Sequence, residues 1–248
     1  RYPSLDPDRF TVLPFGASER DFELLPSLQI RQQIFDPHDG KRHWVYVGRG
    51  GSDMAVALKA LFSGIRADRE RHPERWNSVQ LHFVGTSYAP KGRAIKTIAP
   101  IAQEFGVTDL VEEITDRIPY FEALQTLVDS DAILMIGSND PGYTASKLYP
   151  CVLARKPILA LFHQESSVVS ILEACRAGHA VSFANNSKPQ TLLSAVTTQL
   201  EWLLSLPKHH QPNTDWKAFQ PYTAYEMARQ QCAVFHRSLA KPEFVGKA

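Results

Sequence analysis

The chain has 248 residues, of which 44% are apolar and 21% are charged, a composition typical of a folded globular protein. Its 27 Lys and Arg residues nearly balance its 26 Asp and Glu residues, so the overall charge disfavours nucleic acid or an anionic membrane surface as a partner. No apolar run reaches the roughly 18 residues that a membrane-spanning helix needs.

The three cysteines, Cys151, Cys175 and Cys232, lie far apart in the sequence and form no CxxC pair. This pattern favours free thiols in a reducing compartment over a disulfide framework or a zinc site. We therefore expect a cytoplasmic protein that binds no metal.

The first forty residues are interrupted by prolines and are predicted to be a lead-in segment with one short strand, TVLP (11–14). After them, short apolar runs alternate with segments of helical period, which is typical of parallel βαβ units. The predicted strands are Trp44 to Gly48, Val79 to Gly85, Asp109 to Ile114, Ala132 to Gly137, Pro157 to Phe162 and His179 to Phe183. The predicted helices are Asp53 to Arg71, Lys91 to Phe105, Pro119 to Asp129, Ser146 to Ala154, Ser166 to Ala177 and Lys188 to Leu204.

Strict alternation predicts an α/β fold, a doubly wound, Rossmann-like parallel sheet of six strands with helices on both faces. The runs AILMI and PILALF are continuously apolar, as expected of central strands covered on both sides. Three regions are predicted: a connection at 1–40, a Rossmann-like domain at 41–206, and a helical tail at 207–248 whose last segment is an amphipathic helix.

Ligands of open parallel sheets bind outside the carboxyl ends of the strands, where loops and helix N-termini meet. This rule selects five loops without further information. They are Gly48–Asp53, Gly85–Arg93, Thr115–Tyr120, Gly137–Ser146 and His163–Ser167.

The stretch DPGYTASKLYP suggests an anion site in one of these loops. A proline clashes inside a helix, so Pro150 must lie in the first turn of its helix, and we expect that helix to begin near Ser146. The first amides of the helix would then be free to bind a phosphate, with Lys147 adding a positive charge. The alternative is that Ser146 only caps the helix and Lys147 faces solvent.

The turn GRGGSD contains a GxG after a strand and before a helix, as dinucleotide-binding turns do. Asp53 stands where the third glycine of GxGxxG would be, which weakens the match. Arg49 could bind a phosphate through two hydrogen bonds. The alternative is an ordinary tight turn with Arg49 in a surface ion pair.

Tyr143 and Lys147 also form YxxxK, with Ser130 thirteen residues before the tyrosine, a pattern similar to the triad of short-chain dehydrogenases. In that family the serine follows a strand, whereas Ser130 precedes one. Pro150 would moreover interrupt the long helix that carries the other two residues. A nicotinamide-dependent oxidoreductase is therefore a minor alternative.

The remaining polar residues are weaker candidates. His163 follows the fifth strand and is predicted to be a hydrogen-bonding loop residue rather than a catalyst. Glu112 and Glu113 are adjacent in a strand and should face opposite sides, so they form no acid/base pair.

The segment TASKLYPCVLARKPILA resembles the PSKLxEYLAxGKPVLA stretch of retaining, family 4 glycosyltransferases of the two-domain GT-B group, in their carboxyl-terminal donor-binding domain. Around it, VYVGRGG, LHFVGTSY and RIPYFEALQTLVDSDAILMIGS look like the neighbouring segments of that domain. FTVLPFGASERDF is similar to the family's interdomain connection. The likeness covers most of residues 10–205, and the final helix resembles the one that crosses back to the first domain.

The resemblance implies a role for individual residues. Arg49 and Lys147 match the cations that would stabilise the departing diphosphate and are the expected catalytic residues. The donor-binding positions that it implies are Gly48, Gly50, Gly51, Gly85, Arg117, Ile118, Tyr143, Thr144 and Ser146. No metal or other cofactor is implied, because helix N-termini and cationic side chains supply the positive charge.

Three positions depart from the family pattern. Met54 replaces a lysine that many members carry, Pro150 replaces the glutamate that usually binds the ribose, and Arg155 replaces a glycine. The first two departures indicate a different grip on the donor, or reduced or absent catalysis.

The resemblance thus implies the donor half of a nucleotide-sugar-dependent glycosyltransferase of polysaccharide biosynthesis, inactive as an isolated fragment. Its expected partners are a nucleoside-diphosphate sugar, an unknown saccharide or lipid-linked acceptor, and an N-terminal domain missing from this sequence. That domain could hold the protein at the inner membrane. The alternative is a non-catalytic nucleotide-sugar-binding module of the same fold.

Overall fold

The computed structural model describes residues 10–90 and 92–240, which form one parallel six-stranded sheet in the order β3-β2-β1-β4-β5-β6. All six predicted strands are present, with small shifts at their ends, and the doubly wound α/β fold is confirmed. The strands are β1 Arg42–Val47, β2 Val79–Val84, β3 Val111–Ile114, β4 Ala132–Ile136, β5 Ile158–His163 and β6 Gly178–Phe183.

Helices connect the strands and cover the sheet. The α-helices are α1 Glu19–Leu28, α2 Ala55–Arg71, α3 Pro73–Trp76, α4 Ala99–Glu104, α5 Tyr120–Asp129, α6 Leu148–Leu153, α7 Ser167–Cys175, α8 Leu193–Ser205, α9 Trp216–Phe219 and α10 Ala224–Ala240. No helix among the described residues is long and apolar enough to cross a membrane.

Successive side chains of a strand point to opposite faces of the sheet, and an apolar core lies on each face. Leu134 and Phe83 pack into the core beneath α2 and α8, whereas Ile133 and Phe162 pack into the core beneath α6 and α7. Every residue of β4 and β5 is buried. The prediction that these two apolar runs are interior strands is confirmed.

The lead-in segment differs from its prediction. Residues 11–14 form no strand, because Pro14 has no amide hydrogen to donate and Val12 is almost fully exposed. Ala17 forms an isolated β-bridge to Thr223. Helix α1 follows and was missed, although Ser18 caps it by accepting a hydrogen bond from the Asp21 amide at 3.3 Å.

Two predicted helices begin later than expected. Helix α4 begins at Ala99 rather than Lys91, which lies outside the described residues, because Pro100 fits only into a first turn. Helix α6 begins at Leu148 rather than near Ser146. Pro150 does lie in the first turn of α6, as predicted.

The predicted tail helix is present as α10, but much of its apolar side is open to solvent. Tyr225, Phe235 and Leu239 are all more than half exposed.

A buried carboxylate organises the loop between β2 and α4. Glu113, on β3, accepts hydrogen bonds from the amides of Thr97, Ile98 and Ala99 at 2.8 to 3.1 Å. It also accepts one from the Thr86 hydroxyl at 2.8 Å. Glu113 thus supplies the anion at the start of α4 and fixes both ends of the loop that borders the strand ends.

Two buried histidines link the lead-in segment to the sheet. The Nδ1 atom of His43 lies 3.0 Å from Nε2 of His82, Nε2 of His43 lies 3.0 Å from Asp39, and Nδ1 of His82 lies 2.9 Å from Glu112. The ring of Phe35 stacks on that of His43 at 4.2 Å between centroids.

These three contacts need three protons, whereas two neutral imidazoles supply only two. The contacts are therefore complete when the pair carries one added proton. Burial, and then the charge of His43, lower the pKa of His82 to about 4.

We expect Glu113→Gln to lower the free energy of unfolding by about 2–3 kcal/mol, because its amide group would face backbone donors that now bind a charged acceptor. Urea unfolding of the purified variant measures this loss. Glu104→Gln, on the exposed end of α4, is the matched control and should cost under about 1 kcal/mol. Equal losses in the two variants would contradict the role given to Glu113.

The low pKa of His82 predicts that the protein loses stability in acid. The unfolded chain protonates His82 near pH 6.5, but the folded chain does so only near pH 4, so stability falls as the pH drops between these values. The full effect is roughly 3 kcal/mol. Unfolding curves between pH 7 and 4 should show a shallower pH dependence in His82→Gln than in the exposed control His236→Gln. Identical slopes in both variants would show that His82 is not the titrating group.

Candidate functional site

A cavity of about 220 Å³ lies at the carboxyl ends of β1 and β4. Its floor is formed by residues of β1, β4 and β5, including Val47, Ile136 and Phe162. In this sheet the strand order changes direction between β1 and β4, and such a switch point is where open α/β sheets bind ligands. The polar rim consists of Arg49, Tyr88, Tyr143, Thr144, Ser146 and Lys147.

Arg49 does not point freely into this cavity, because it forms an ion pair with Asp53. Its Nη1 and Nη2 atoms donate to the two carboxylate oxygens at 2.9 and 2.5 Å. The pair lowers the pKa of Asp53 to about 2. The guanidinium also lies over the ring of Tyr143, 5.2 Å from its centroid. In this structure Arg49 therefore forms an ion pair, the second of the two interpretations of the sequence. The pair lies at the rim of the cavity.

The glycines of the β1 loop leave room for the protein's own side chains. A Cβ atom at Gly50 would lie 2.3 Å from the Thr97 hydroxyl, and one at Gly51 would lie 2.5 Å from Asp53 Oδ1. Gly48 is similarly crowded by the hydroxyl of Tyr46. Of the three glycines, Gly51 is the one that leaves room for the Arg49–Asp53 pair.

Gly85, at the end of β2, has a φ of +73°, which favours glycine. The β2 and β3 loops lie side by side here, since the amide of Ser87 donates to the Thr115 carbonyl at 3.0 Å. The guanidinium of Arg117 lies over the ring of Tyr88, 5.2 Å from its centroid. Ile118, the next residue, is half-buried in the same loop.

Lys147 and Arg117 supply positive charge near the cavity. Burial and the neighbouring charge of Arg117 lower the pKa of Lys147. Among residues 10–90 and 92–240, neither cation has a carboxylate within 4 Å.

The expectation of free amides at the start of α6 needs correction. The amide of Ser146 donates to the Thr144 carbonyl at 3.1 Å, and that of Leu148 donates to Ala145 at 3.0 Å. A turn precedes the helix and uses these two donors. Positive charge at this edge therefore comes from side chains more than from a helix N-terminus.

The structure also adds residues that the sequence analysis did not single out. Asp53 was noted only as a missing glycine, because its ion pair with Arg49 forms across a loop rather than along an α-helix, and no local spacing indicates it. Tyr88 was included only as part of a loop. Its exposed ring, beside Arg117, gives this side of the cavity a flat aromatic surface.

The dehydrogenase-like triad is not assembled. Ser130 is completely buried before β4, where its hydroxyl donates to the Leu127 carbonyl at 2.8 Å. Tyr143 and Lys147 lie at the opposite, carboxyl edge. His163 is buried at the end of β5, and its Nδ1 accepts a hydrogen bond from the Glu165 amide, as expected of a loop-stabilising residue.

The three departures from the family pattern have different surroundings. Met54 is completely buried in the core below the loop. Pro150 lies in the first turn of α6. Arg155 has a φ of +57°, a conformation that a glycine adopts without strain, and its guanidinium lies 4.8 Å from the Trp216 ring centroid, which helps to hold it there.

A larger groove of about 1150 Å³ lies elsewhere, between α1, α5 and the α9–α10 region. It is lined by residues such as Val128 and Lys156, which precede the amino ends of β4 and β5. This is the wrong edge of a parallel sheet for a substrate site. Within the described part of the chain, no group of three or more His, Cys, Asp or Glu side chains is arranged to hold a metal ion.

Sequence comparisons identify no relative: no family model matches the chain, and no curated protein matches it. Its fold, however, is shared with solved structures. A UDP-forming α,α-trehalose-phosphate synthase from Burkholderia xenovorans superposes with a TM-score of 0.64 at 15% identity, covering 92% of this chain and 52% of that one. A glycosyltransferase from Rickettsia africae gives 0.62 at 12% identity, covering 96% and 60%.

Anabaena HepE, solved in complex with UDP-glucose, gives a TM-score of 0.59 at 14% identity, covering 90% of this chain and 56% of HepE. The chain thus spans little more than half the length of these structures. Identities this low establish the fold and no more. The chain resembles GT-B glycosyltransferases and has the Rossmann-like fold of one of their halves.

Proposed function

We propose that this chain is the donor-binding half of a glycosyltransferase and that it binds a nucleoside-diphosphate sugar in the cavity between β1 and β4. The observation that carries this proposal is the position of a cation-rimmed cavity at the switch point of the sheet. Arg49 and Lys147 line it, and Arg117 is close enough to lower the pKa of Lys147.

The size of the cavity favours one part of such a ligand. Pockets that enclose a whole drug-sized ligand measure roughly 300–1,000 Å³, and this cavity is about 220 Å³. It fits the diphosphate better than the complete molecule. The nucleoside would extend towards Tyr88, Arg117 and Ile118, where an aromatic ring and a planar guanidinium already lie together.

The proposed chemistry is transfer of the sugar with retention of configuration. When the bond from the sugar to the diphosphate breaks, negative charge grows on the leaving oxygen, and a fixed cation beside it lowers the barrier. Lys147 and Arg49 are the candidates for that role. This arrangement needs no metal or other cofactor.

The likeness to solved glycosyltransferases supports this proposal, including one crystallised with UDP-glucose and one described as UDP-forming. The chain corresponds to about half of each, so an acceptor, either a saccharide or a lipid-linked molecule, would bind to a second domain. We expect no turnover from the isolated chain. The same proposal places the protein in polysaccharide biosynthesis in the cytoplasm. The second domain would hold it at the inner membrane.

One observation favours a second candidate, a binding module that no longer catalyses. Met54 and Pro150 occupy two usual functional positions of the family, and neither can donate or accept a proton. Met54 is completely buried in the core, where an ionised side chain would be costly to bury. Both candidates require nucleotide binding, and they differ in whether the complete protein transfers sugar.

We expect UDP, GDP or ADP to raise the melting temperature of the chain and NAD to do so less. Stabilisation by NAD alone, or by no nucleotide, would contradict the proposed site.

Lys147→Ala should weaken binding of the stabilising diphosphate about tenfold, the effect of losing one hydrogen bond from a charged donor. Binding of the parent nucleoside should change little, because it lacks the phosphates. Isothermal titration calorimetry measures both affinities. Lys41→Ala, an exposed lysine at the amino edge of β1, is the matched control. An unchanged diphosphate affinity in Lys147→Ala would remove this residue from the site.

A further inference from the structure

We propose that Asp53 is a built-in counter-ion that pairs with Arg49 and releases it to an incoming phosphate. The nature of the natural ligand rests on the proposed function, but the ion pair itself does not. Asp53 would then set how tightly the site binds anions.

The β1 loop is constructed around this pair. The Asp53 carbonyl accepts the amide of Asn139 at 2.8 Å, which ties the β1 loop to the β4 loop. Gly51 leaves the space that the pair fills, since a Cβ atom there would lie 2.5 Å from Asp53 Oδ1 and 3.0 Å from Arg49 Nη1. Both side chains are about two-thirds buried or more. An ordinary ion pair on the surface would lack this backbone hydrogen bond, this space beside a glycine and this degree of burial.

The carboxylate of Asp53 binds Arg49 as a phosphate would. A guanidinium donates two parallel hydrogen bonds to a carboxylate or to a phosphate with nearly the same geometry. While Asp53 holds these two donors, the pair has no net charge, and an anion entering the cavity meets Lys147 but gains little from Arg49.

A polar side chain remains near Asp53 when Arg49 turns away. The hydroxyl of Ser138, a buried residue two positions after β4, is close enough to the Asp53 carboxylate to help lower its pKa. The guanidinium of Arg49 already lies over the Tyr143 ring at the cavity rim, so only its far end must turn towards a ligand. Exchange of partners therefore needs no movement of the backbone.

The test compares Asp53→Asn with the wild-type chain, using inorganic pyrophosphate, UDP and uridine as separate ligands in calorimetry. We expect pyrophosphate and UDP to bind about three- to fivefold more tightly to Asp53→Asn, the gain from freeing one partly exposed cation. Uridine, which carries no phosphate, should bind unchanged. The gain should disappear in the double variant Arg49→Met/Asp53→Asn, because Arg49 is the group that Asp53 restrains.

Glu173→Gln, an exposed carboxylate near the end of α7, controls for the change in net charge and should leave all three affinities unchanged. Asp53→Ser provides a second neutral variant if Asp53→Asn does not fold. Unchanged or weaker pyrophosphate binding in the folded neutral variant, or no pyrophosphate binding by either protein, would overturn the role of Asp53.

The pyrophosphate arm separates this inference from the proposed function. Tighter pyrophosphate binding by Asp53→Asn in a protein that binds no nucleotide would support the counter-ion and contradict the nucleotide site. If the protein binds UDP but Asp53→Asn does not bind it more tightly, the result would support the nucleotide site and contradict the counter-ion role of Asp53.

Discussion

The reversal of strand order between β1 and β4 determines where this protein can bind a ligand. Connections leave these two neighbouring strands in opposite directions, so no crossover covers the gap between their carboxyl ends. The polar residues at the rim of the proposed site reach that gap from loops that follow strands. The apolar cores on the two faces of the sheet hold the strands in place, and the strands in turn fix the ends of the loops.

The charges around the gap are unevenly paired. Glu113 is committed to the amides that begin α4, and Asp53 is committed to Arg49. Lys147 and Arg117 are left without a carboxylate partner among the described residues. An anion is the species that would complete this arrangement, which is why a diphosphate accounts for it better than a neutral substrate does.

Much of the fold could be predicted from local sequence, because continuous apolar strands and alternating helices leave few other arrangements. Pro150 correctly placed the first turn of α6. The start of that helix was still missed by two residues, because the turn at Thr144–Ser146 uses amides that the helix would otherwise leave free. The strand predicted at 11–14 does not form, and among the described residues no strand of the sheet pairs with this segment.

The site was predicted less completely, since ion pairs depend on which loops meet. Arg49 was selected because it follows a strand, but its bond to Asp53 could not be distinguished from a phosphate clamp without coordinates. The capping role of Glu113 joins residues of three separate segments, and no local pattern indicates it. Similarly, the paired histidines become visible only when β1 and β2 are aligned in register.

The central claim is that the gap between β1 and β4 binds the diphosphate of a nucleotide. Backbone amide NMR spectra recorded while UDP is added to the wild-type chain test it most directly. The account predicts that the largest shifts fall on residues 48–53, 86–88 and 143–147, with little change at the amino edge of the sheet. Shifts concentrated around Arg155 and Trp216 in the larger groove, or no shifts at all, would contradict it.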